Sequence, residues 1–410
     1  MKQTGLKPVN ILLPNTSDMT SWACIACDQF TSEPEYWSSL EKQVSGKKTT
    51  LDLVLPEIYL EDNAEERIKK INENIKNYLE NGSFYELEKG FVLVVRSTPY
   101  VKRRIGLVAG LDLEQYDYTV GAKPLIRATE GTIEERIPPR LKIRKNADVE
   151  FPHVMVLFDD EKREILETLY ENRHTLQKVY DFELNMGGGH VEGYFVPQDD
   201  KIIAKFSALL DSQRLIEKYG YEDNFAFAVG DGNHSLATAK TMWNQIKTTL
   251  SDHEKENHPA RYALCELVNI YDDGIYFEPI FRFVKGVDKQ KFLDGLKAVD
   301  GGKIKVVGFG AELTFDGKNS LPDGIRAVDG YIKEFISEFG GVVDYIHGEQ
   351  NLCKLVSGSD DAVGIIFEKL NKQDLFRYVS NKGAFPRKTF SMGEGVEKRY
   401  YLEGRRITKC

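Results

Sequence analysis

The chain has 410 residues, more than one ordinary core holds, since domains run to about 100–200 residues, so two or three lobes are expected. An apolar share of 41% and a charged share of 29% exclude extended disorder. A formal net charge of −9 argues against a generally basic nucleic-acid-binding surface, while 55 Lys and Arg residues leave room for a local basic pocket suited to a small anionic ligand.

The five cysteines, Cys24, Cys27, Cys265, Cys353 and Cys410, are too few and too odd in number for a secreted disulfide framework. Met1 to Asn10 carries no apolar run of the signal-peptide kind, and no stretch approaches the ~18 apolar residues of a membrane span. A reducing cytoplasm is the expected setting.

In chain order, Val9 to Pro14 is a short apolar run ending in a turn, and Trp22 to Phe30 is irregular. Pro34-Glu35-Tyr36-Trp37 opens a helix. Leu51 to Pro56 reads as a strand, and Asn63 to Glu80 as an amphipathic helix with Ile68, Ile71, Ile75 and Leu79 on one face. Phe91 to Val95 and Arg104 to Asp112 read as strands, and Thr132-Ile-Glu-Glu as a helix-capping signature. Val154 to Phe158 is a strand, followed by helices over 162–171 and 201–219. Between them, Gly187-Gly188-Gly189-His190 makes a turn into a strand. Phe225 to Val229 is a strand that runs into Gly230-Asp231-Gly232-Asn233-His234-Ser235, with helix over 235–248. Strands over 262–270 and 275–284 follow. Beyond Lys289 come helix 290–299, strand 305–309, helix 324–339 and strands near 342–348 and 362–367. The alternation predicts an α/β (mixed α+β) fold, with mixed sheets and flanking helices. Lobes are expected over 1–150, over 151–288 with the Gly-Asp-Gly-Asn-His loop, and over 289–410, the last packed back on the site.

That loop carries the functional expectation. The first turn of a helix offers unpaired N–H groups and the positive end of the macrodipole, and glycines let backbone approach a phosphate closely. Gly230, Gly232, Asn233, His234 and Ser235 supply these features, so the loop is a candidate phosphate or nucleotide site. Asp231 would repel a phosphate unless it acts as a general base or as a ligand of a bridging Mg²⁺. The alternative is a structural turn in which Asp231 or Asn233 caps the helix. It is neither a Walker A loop nor a Rossmann fingerprint.

Val229-Gly-Asp-Gly-Asn-His-Ser-Leu-Ala-Thr-Ala239 resembles the signature segment of the DUF1015 family, an Asp-Gly-His-His-Arg run opening a helix. Ala26-Cys-Asp-Gln-Phe30, Ile126-Arg-Ala-Thr-Glu-Gly-Thr132, Glu266 to Ile270 through Pro279-Ile-Phe-Arg282, Tyr345-Ile-His347 and Phe385-Pro-Arg-Lys-Thr-Phe390 resemble further family segments in the same order. The family loop is similar to that of the ParB/sulfiredoxin-like group, which includes free-serine kinases. The resemblance implies a ParB/sulfiredoxin-like core lobe with additional lobes. It also implies phosphoryl transfer to a small hydroxyl such as free serine, from ATP, ADP or pyrophosphate. The chain departs where the family has His-His-Arg: here stand Asn233-His234-Ser235, without the bidentate phosphate clamp of an arginine. Arg127, Arg282 and Lys388 are the candidate substitutes.

Asp28 is either a second carboxylate at the site or a turn residue capping the helix near Pro34. Cys24 and Cys27 form Cys-x-x-Cys without a second ligand pair for zinc, so plain thiols are expected. Arg127, Glu130 and Thr132 would meet phosphate, metal and acceptor, or else form a solvated helix start. His190 would reach the site from a Gly-rich lid, or sit at a β-turn; His153 and His174 are expected on the surface or in a satisfied core. Besides a phosphotransferase, the residues allow a non-catalytic nucleotide- or phosphate-binding protein. The acidic balance disfavours a ParB-like nucleic-acid protein. The expected partner is a small anionic ligand, with Mg²⁺ and a nucleotide or pyrophosphate as co-substrate, no nucleic acid and no membrane. A homodimer is only the commonest oligomer.

Overall fold

A computed structural model describes residues 4–409; Met1 to Gln3 and Cys410 lie outside the described residues. The chain divides into two compact units. The first takes the residues up to Ile275, Val379–Gly383 and the stretch from Gly395 on; the second takes Tyr276–Tyr378 and Ala384–Glu394.

In the first unit the elements that matter are β1 (Leu6–Lys7), α1 (Ala64–Glu80), β2 (Gly90–Ser97), β3 (Arg104–Asp112), β4 (Ile126–Ala128), α2 (Ile137–Lys145), β5 (Met155–Phe158), β6 (Gln177–Leu184), β7 (Gly189–Pro197), β8 (Phe227–Asp231), α3 (Asn233–Ile246) and β9 (Tyr262–Asn269). The strands form one mixed sheet in the order β6-β7-β2-β3-β9-β5-β8-β4, with β1 paired to β3. The β9–β5 and β8–β4 pairs are parallel and β5–β8 is antiparallel. The sheet is covered on both faces, which explains why its inner strands read as unbroken apolar runs. Phe91, Leu93 and Val95 enter one core with Val156, Phe227 and Trp243, whereas Val92 and Val94 enter another with Trp22 and Trp37. Strands from both sides of residue 150 share this sheet, so no lobe boundary falls there.

The tail returns to this unit. Tyr400–Tyr401 pairs with Cys24–Ile25, and Arg405–Arg406 pairs with Val149–Glu150. Trp22 donates its indole N–H to Leu402 O at 3.1 Å. The Arg399 guanidinium bridges Glu266 and Glu403 in a fully buried network.

The second unit contains β10 (Phe277–Lys285), β11 (Lys303–Val307), β12 (Leu313–Asp316), α4 (Leu321–Phe339), β13 (Val342–His347), β14 (Ala362–Phe367) and β15 (Phe390–Met392). Its antiparallel sheet runs β12-β11-β14-β10-β13, and β15 pairs with β10. Ile325, Val328, Ile332 and Phe335 recur at helical spacing on α4 and fill its core with Val284, Ile304 and Ile365.

Two local expectations fail. Leu51 to Pro56 is no strand: Thr49 accepts from Leu51 N–H, and Thr50 donates its hydroxyl to Trp22 O at 2.9 Å, so the segment turns as a short 3-10 helix, Thr50–Asp52. Thr132 does not cap a helix: Glu134–Arg136 is 3-10, and α2 begins at Ile137 with prolines in its first turn.

Candidate functional site

The site grows out of the β8–α3 junction. Ala228 and Val229 pair in step with Leu157 and Val156, but the next partner of β5, Met155, faces Asp231, so Gly230 is the extra residue of a bulge. A bulge re-aims the side chain that follows it, here Asp231. Gly232 then turns with φ +78°, and a Cβ there would stand 3.0 Å from Val154 Cα. Only glycine meets both demands. Neither Asp231 nor Asn233 caps α3: Asp231 Oδ1 accepts from Gly232 N–H at 3.0 Å, and Gly232 is the cap residue, without a side-chain bond. The Asn233 carboxamide oxygen is buried and has no partner among the described residues. Ile133 N–H donates to His234 Nε2 at 3.2 Å, which fixes the neutral ring with its proton on Nδ1. Thr129 donates its hydroxyl to Val229 O at 2.6 Å. These two bonds bring the 126–133 segment against the loop.

A partly buried ion pair and a partly buried carboxylate–imidazole pair stand at this helix N-terminus. Asp231 Oδ2 meets Lys398 Nζ at 3.1 Å, and the Lys398 side chain is only 7% exposed. Asp28 Oδ2 lies 3.5 Å from His153 Nε2, and the other ring nitrogen, Nδ1, is 2.8 Å from the Tyr401 hydroxyl. Cys27 N–H also donates to the Tyr401 oxygen, at 3.0 Å. Burial alone would raise the Asp28 carboxyl, but His153, Gln29 and Lys398 outweigh it and hold its pKa well below the usual range. Burial pushes His153 down, yet Asp28, Asp231 and Glu57 overcome that and raise it. Glu57, paired with Arg140, is itself pushed up by burial.

Lys398 is held by its backbone. Arg96 donates to the carbonyls of Val396 at 2.7 Å, Glu397 at 3.0 Å and Lys398 at 2.6 Å, and Arg104 donates to Glu397 O at 3.0 Å. The two arginines face each other across β2 and β3. Both are buried, so they would repel in a low-dielectric interior; burial, then Arg104, lowers the Arg96 pKa to about 9.

The expected arginine substitutes are otherwise engaged. Arg127 is buried, donates to Asp223 at 2.8 and 2.5 Å and lies over the Phe225 ring. Arg282, in the second unit, is fully buried and forks onto Asp329 at 2.7 and 2.8 Å. A carboxylate already neutralises each guanidinium, so neither stands ready as a free phosphate clamp. Lys388, also in the second unit, has φ +55° and offers its carbonyl to Arg282. Glu130 is half-buried, and Thr132 Oγ1 is buried without a partner among the described residues.

His190 sits on β7 as the second strand of a hairpin, 2.9 Å from Asp181 and 2.8 Å from Glu183. Gly187 and Gly189, at φ +79° and +84°, make the tight turn before it. Asp181, His190 and Glu192 gather within 4.8 Å, but the Lys178 ammonium already bonds both carboxylates, so the cluster is neutralised from within. Asp28 does not cap the helix Pro34–Val44, whose cap residue is Glu33. Cys24 is buried and Cys27 half-buried, and burial raises both thiols far above the reactive range.

His153 is buried with polar partners, the satisfied-core alternative of its expectation, whereas Lys398 and Tyr401 were not singled out by the sequence. Their one local signal is Lys398-Arg399 set directly before the apolar Tyr400-Tyr401-Leu402, a place where charge must find partners.

The family model described as a protein of unknown function, DUF1015, matches residues 6–366. The chain belongs to the DUF1015 family. No curated protein matches it. Among solved structures, a conserved hypothetical protein from Pyrococcus furiosus is 10% identical with a TM-score of 0.37, covering 74% of this chain and 95% of its own. A free serine kinase in complex with AMP is 9% identical with a TM-score of 0.40, covering 74% and 91%. SbnI with a C-terminal truncation, from Staphylococcus aureus, is 9% identical with a TM-score of 0.37, covering 73% and 87%. Among the described residues, no helix is long and apolar enough to cross a membrane.

Proposed function

We propose that this DUF1015 protein binds a phosphate-bearing small molecule at the N-terminus of α3 and transfers its phosphoryl group to a small hydroxyl. The observation that carries the reading is the partly buried Asp231–Lys398 pair at 3.1 Å, set on a bulge directly before a 14-residue helix. The helix N-terminus and Lys398 supply positive potential for phosphate oxygens, replacing the arginine that the loop lacks. Lys398 has a carboxylate partner just as Arg127 and Arg282 do, but its partner is the loop's own Asp231, which sets it at the helix N-terminus, so it is taken as the substitute cation. Asp231 serves as the base that takes the proton of the attacking hydroxyl. Asp28 suits that role less, because a carboxylate held far below its usual pKa is a weak base; it orients His153 and favours its protonated form. The unpartnered Asn233 oxygen offers a hard oxygen ligand that suits Mg²⁺, which when bound would neutralise charge on the phosphates.

A binding protein without transfer is the second reading. It is favoured by the same ion pair, because Asp231 Oδ2 is already engaged by Lys398 and Oδ1 by Gly232 N–H. The test is a thermal-shift panel with ATP, ADP, CTP, pyrophosphate and phosphate, with and without Mg²⁺. A ligand at ~100 times its Kd stabilises by ~2.7 kcal/mol. A transfer assay with the donor that shifts follows, with free serine, the substrate named for the solved kinases, as first acceptor. A shift with transfer supports the kinase, and a shift without transfer to any alcohol supports the binder. No shift with any phosphate compound sinks both.

A further inference from the structure

Beside the ion pairs, the first unit contains a chamber of about 140 Å³. Its lining combines apolar side chains, among them Leu55, Ile71, Ile75, Ala239 and Leu264, with the polar Ser235, His153 and Tyr401 and the partly exposed Glu57–Arg140 pair. The pocket is partly open to solvent rather than a sealed void in the core. Most of its charged wall groups are paired, Arg140 with Glu57, Arg144 with Glu150, and His153 with Asp28 and Tyr401, while Arg144 Nε has no partner among the described residues. The Ser235 hydroxyl, one residue past His234 on the first turn of α3, has no hydrogen-bond partner among the described residues.

We infer that this chamber is the acceptor pocket and that it takes a neutral alcohol with a branched or cyclic hydrocarbon body of about five or six carbons. The size follows from the volume, since a cavity of ~150 Å³ accommodates benzene. The hydroxyl lies against Ser235 and beside the His153–Asp28 pair, while the hydrocarbon packs on Leu55 and Ile75. The inference rests on the phosphoryl-transfer reading for the role of the hydroxyl, and it makes free serine, with its charged ammonium and carboxylate, a poor fit to the apolar side chains of the lining.

Binding of cyclohexanol and 3-methylbutan-1-ol, measured by ligand-observed NMR without any phosphate compound, separates the two claims. Both alcohols are expected to bind the full chain, with ethanol and L-serine at least ~10-fold weaker. Ala239→Leu fills the chamber and is expected to remove alcohol binding while phosphate-compound binding persists. Ile75→Ala enlarges it and is expected to shift preference toward cycloheptanol, which keeps the test informative if Ala239→Leu does not fold. Alcohol binding by a chain that binds none of the phosphate compounds leaves the pocket standing and overturns the transfer reading. Phosphate binding with no alcohol binding, or equal binding by wild type and Ile75→Ala across the three alcohols, overturns the pocket.

Discussion

At the scale of single residues, the site turns on charges that have left water in pairs. Lys398→Met leaves Asp231 uncompensated with its side chain 18% exposed, and removing one partner of a buried pair costs about 3–5 kcal/mol. Urea denaturation is expected to show a loss near the lower end, because Asp231 keeps some solvent; an unchanged midpoint would refute the pairing. The Asp28–His153 pair predicts a pH profile. His153 has its folded pKa above the ordinary 6.5, so its contribution is full below about pH 6.5 and fades as pH rises through the folded value. Asp28 has its folded pKa below 3.8, so its contribution is present above that value and fades as pH falls through the folded one. The stability gap between wild type and His153→Gln should therefore be widest between about pH 4 and pH 6.5 and narrow as pH rises through the folded His153 value, measured by chemical denaturation. A gap that is flat across this range would show that the imidazole is not charged in the fold. Asp231 and Asp28 could be named from the sequence because each sits in a recognisable local run. Lys398 could not, because its chemistry depends on a partner 167 positions away that no periodicity connects to it.

At the scale of elements, the turn and the arginine shelf are the critical parts. Gly232→Ala puts a Cβ at 3.0 Å from Val154 Cα on a residue with φ +78°. The left-handed backbone alone costs about 1–2 kcal/mol. A thermal or urea scan should show at least that loss, and a neutral result would mean that the loop relaxes into another conformation. Arg96→Gln removes the bonds that hold the carbonyls of residues 396–398. Hydrogen exchange in that stretch should rise, and phosphate-compound affinity should fall at least ~10-fold; unchanged exchange would show that the tail is held elsewhere. Most elements were legible because they are long and strictly patterned. Val92 and Val94 point to one core and Leu93 and Val95 to the other, so β2 is a continuous apolar run, and α1 keeps Ile71 and Ile75 on its buried face. Leu51 to Pro56 misled because a short apolar run fits a strand and a packed turn equally well, and the deciding bond to Trp22 O is distant in sequence. The bulge at Gly230 was invisible for a related reason: a glycine does not announce which partner it skips.

At the scale of the whole molecule, chain order and spatial order differ. The second unit is inserted within the sequence of the first, whose core is completed by Arg399, Tyr401 and Arg405. Deleting the residues after Met392 removes Lys398 and also uncouples Glu266 and Glu150 from their buried arginines. Circular dichroism and proteolysis should find the first unit unfolded in that truncation. A native-like, protease-resistant first unit would show that the tail is only an accessory.

The same return of the chain gives the protein a clock. During synthesis the strand Cys24–Ile25 emerges early, but its partner Tyr400–Tyr401 follows roughly 375 residues later. At ~5–20 residues per second that is a wait of about 20–75 s. Through that interval an apolar strand edge and the Trp22 ring lack the neighbours that will cover them. Slowing translation late in the message should therefore lengthen the time for which the nascent chain needs a chaperone, without altering the finished protein.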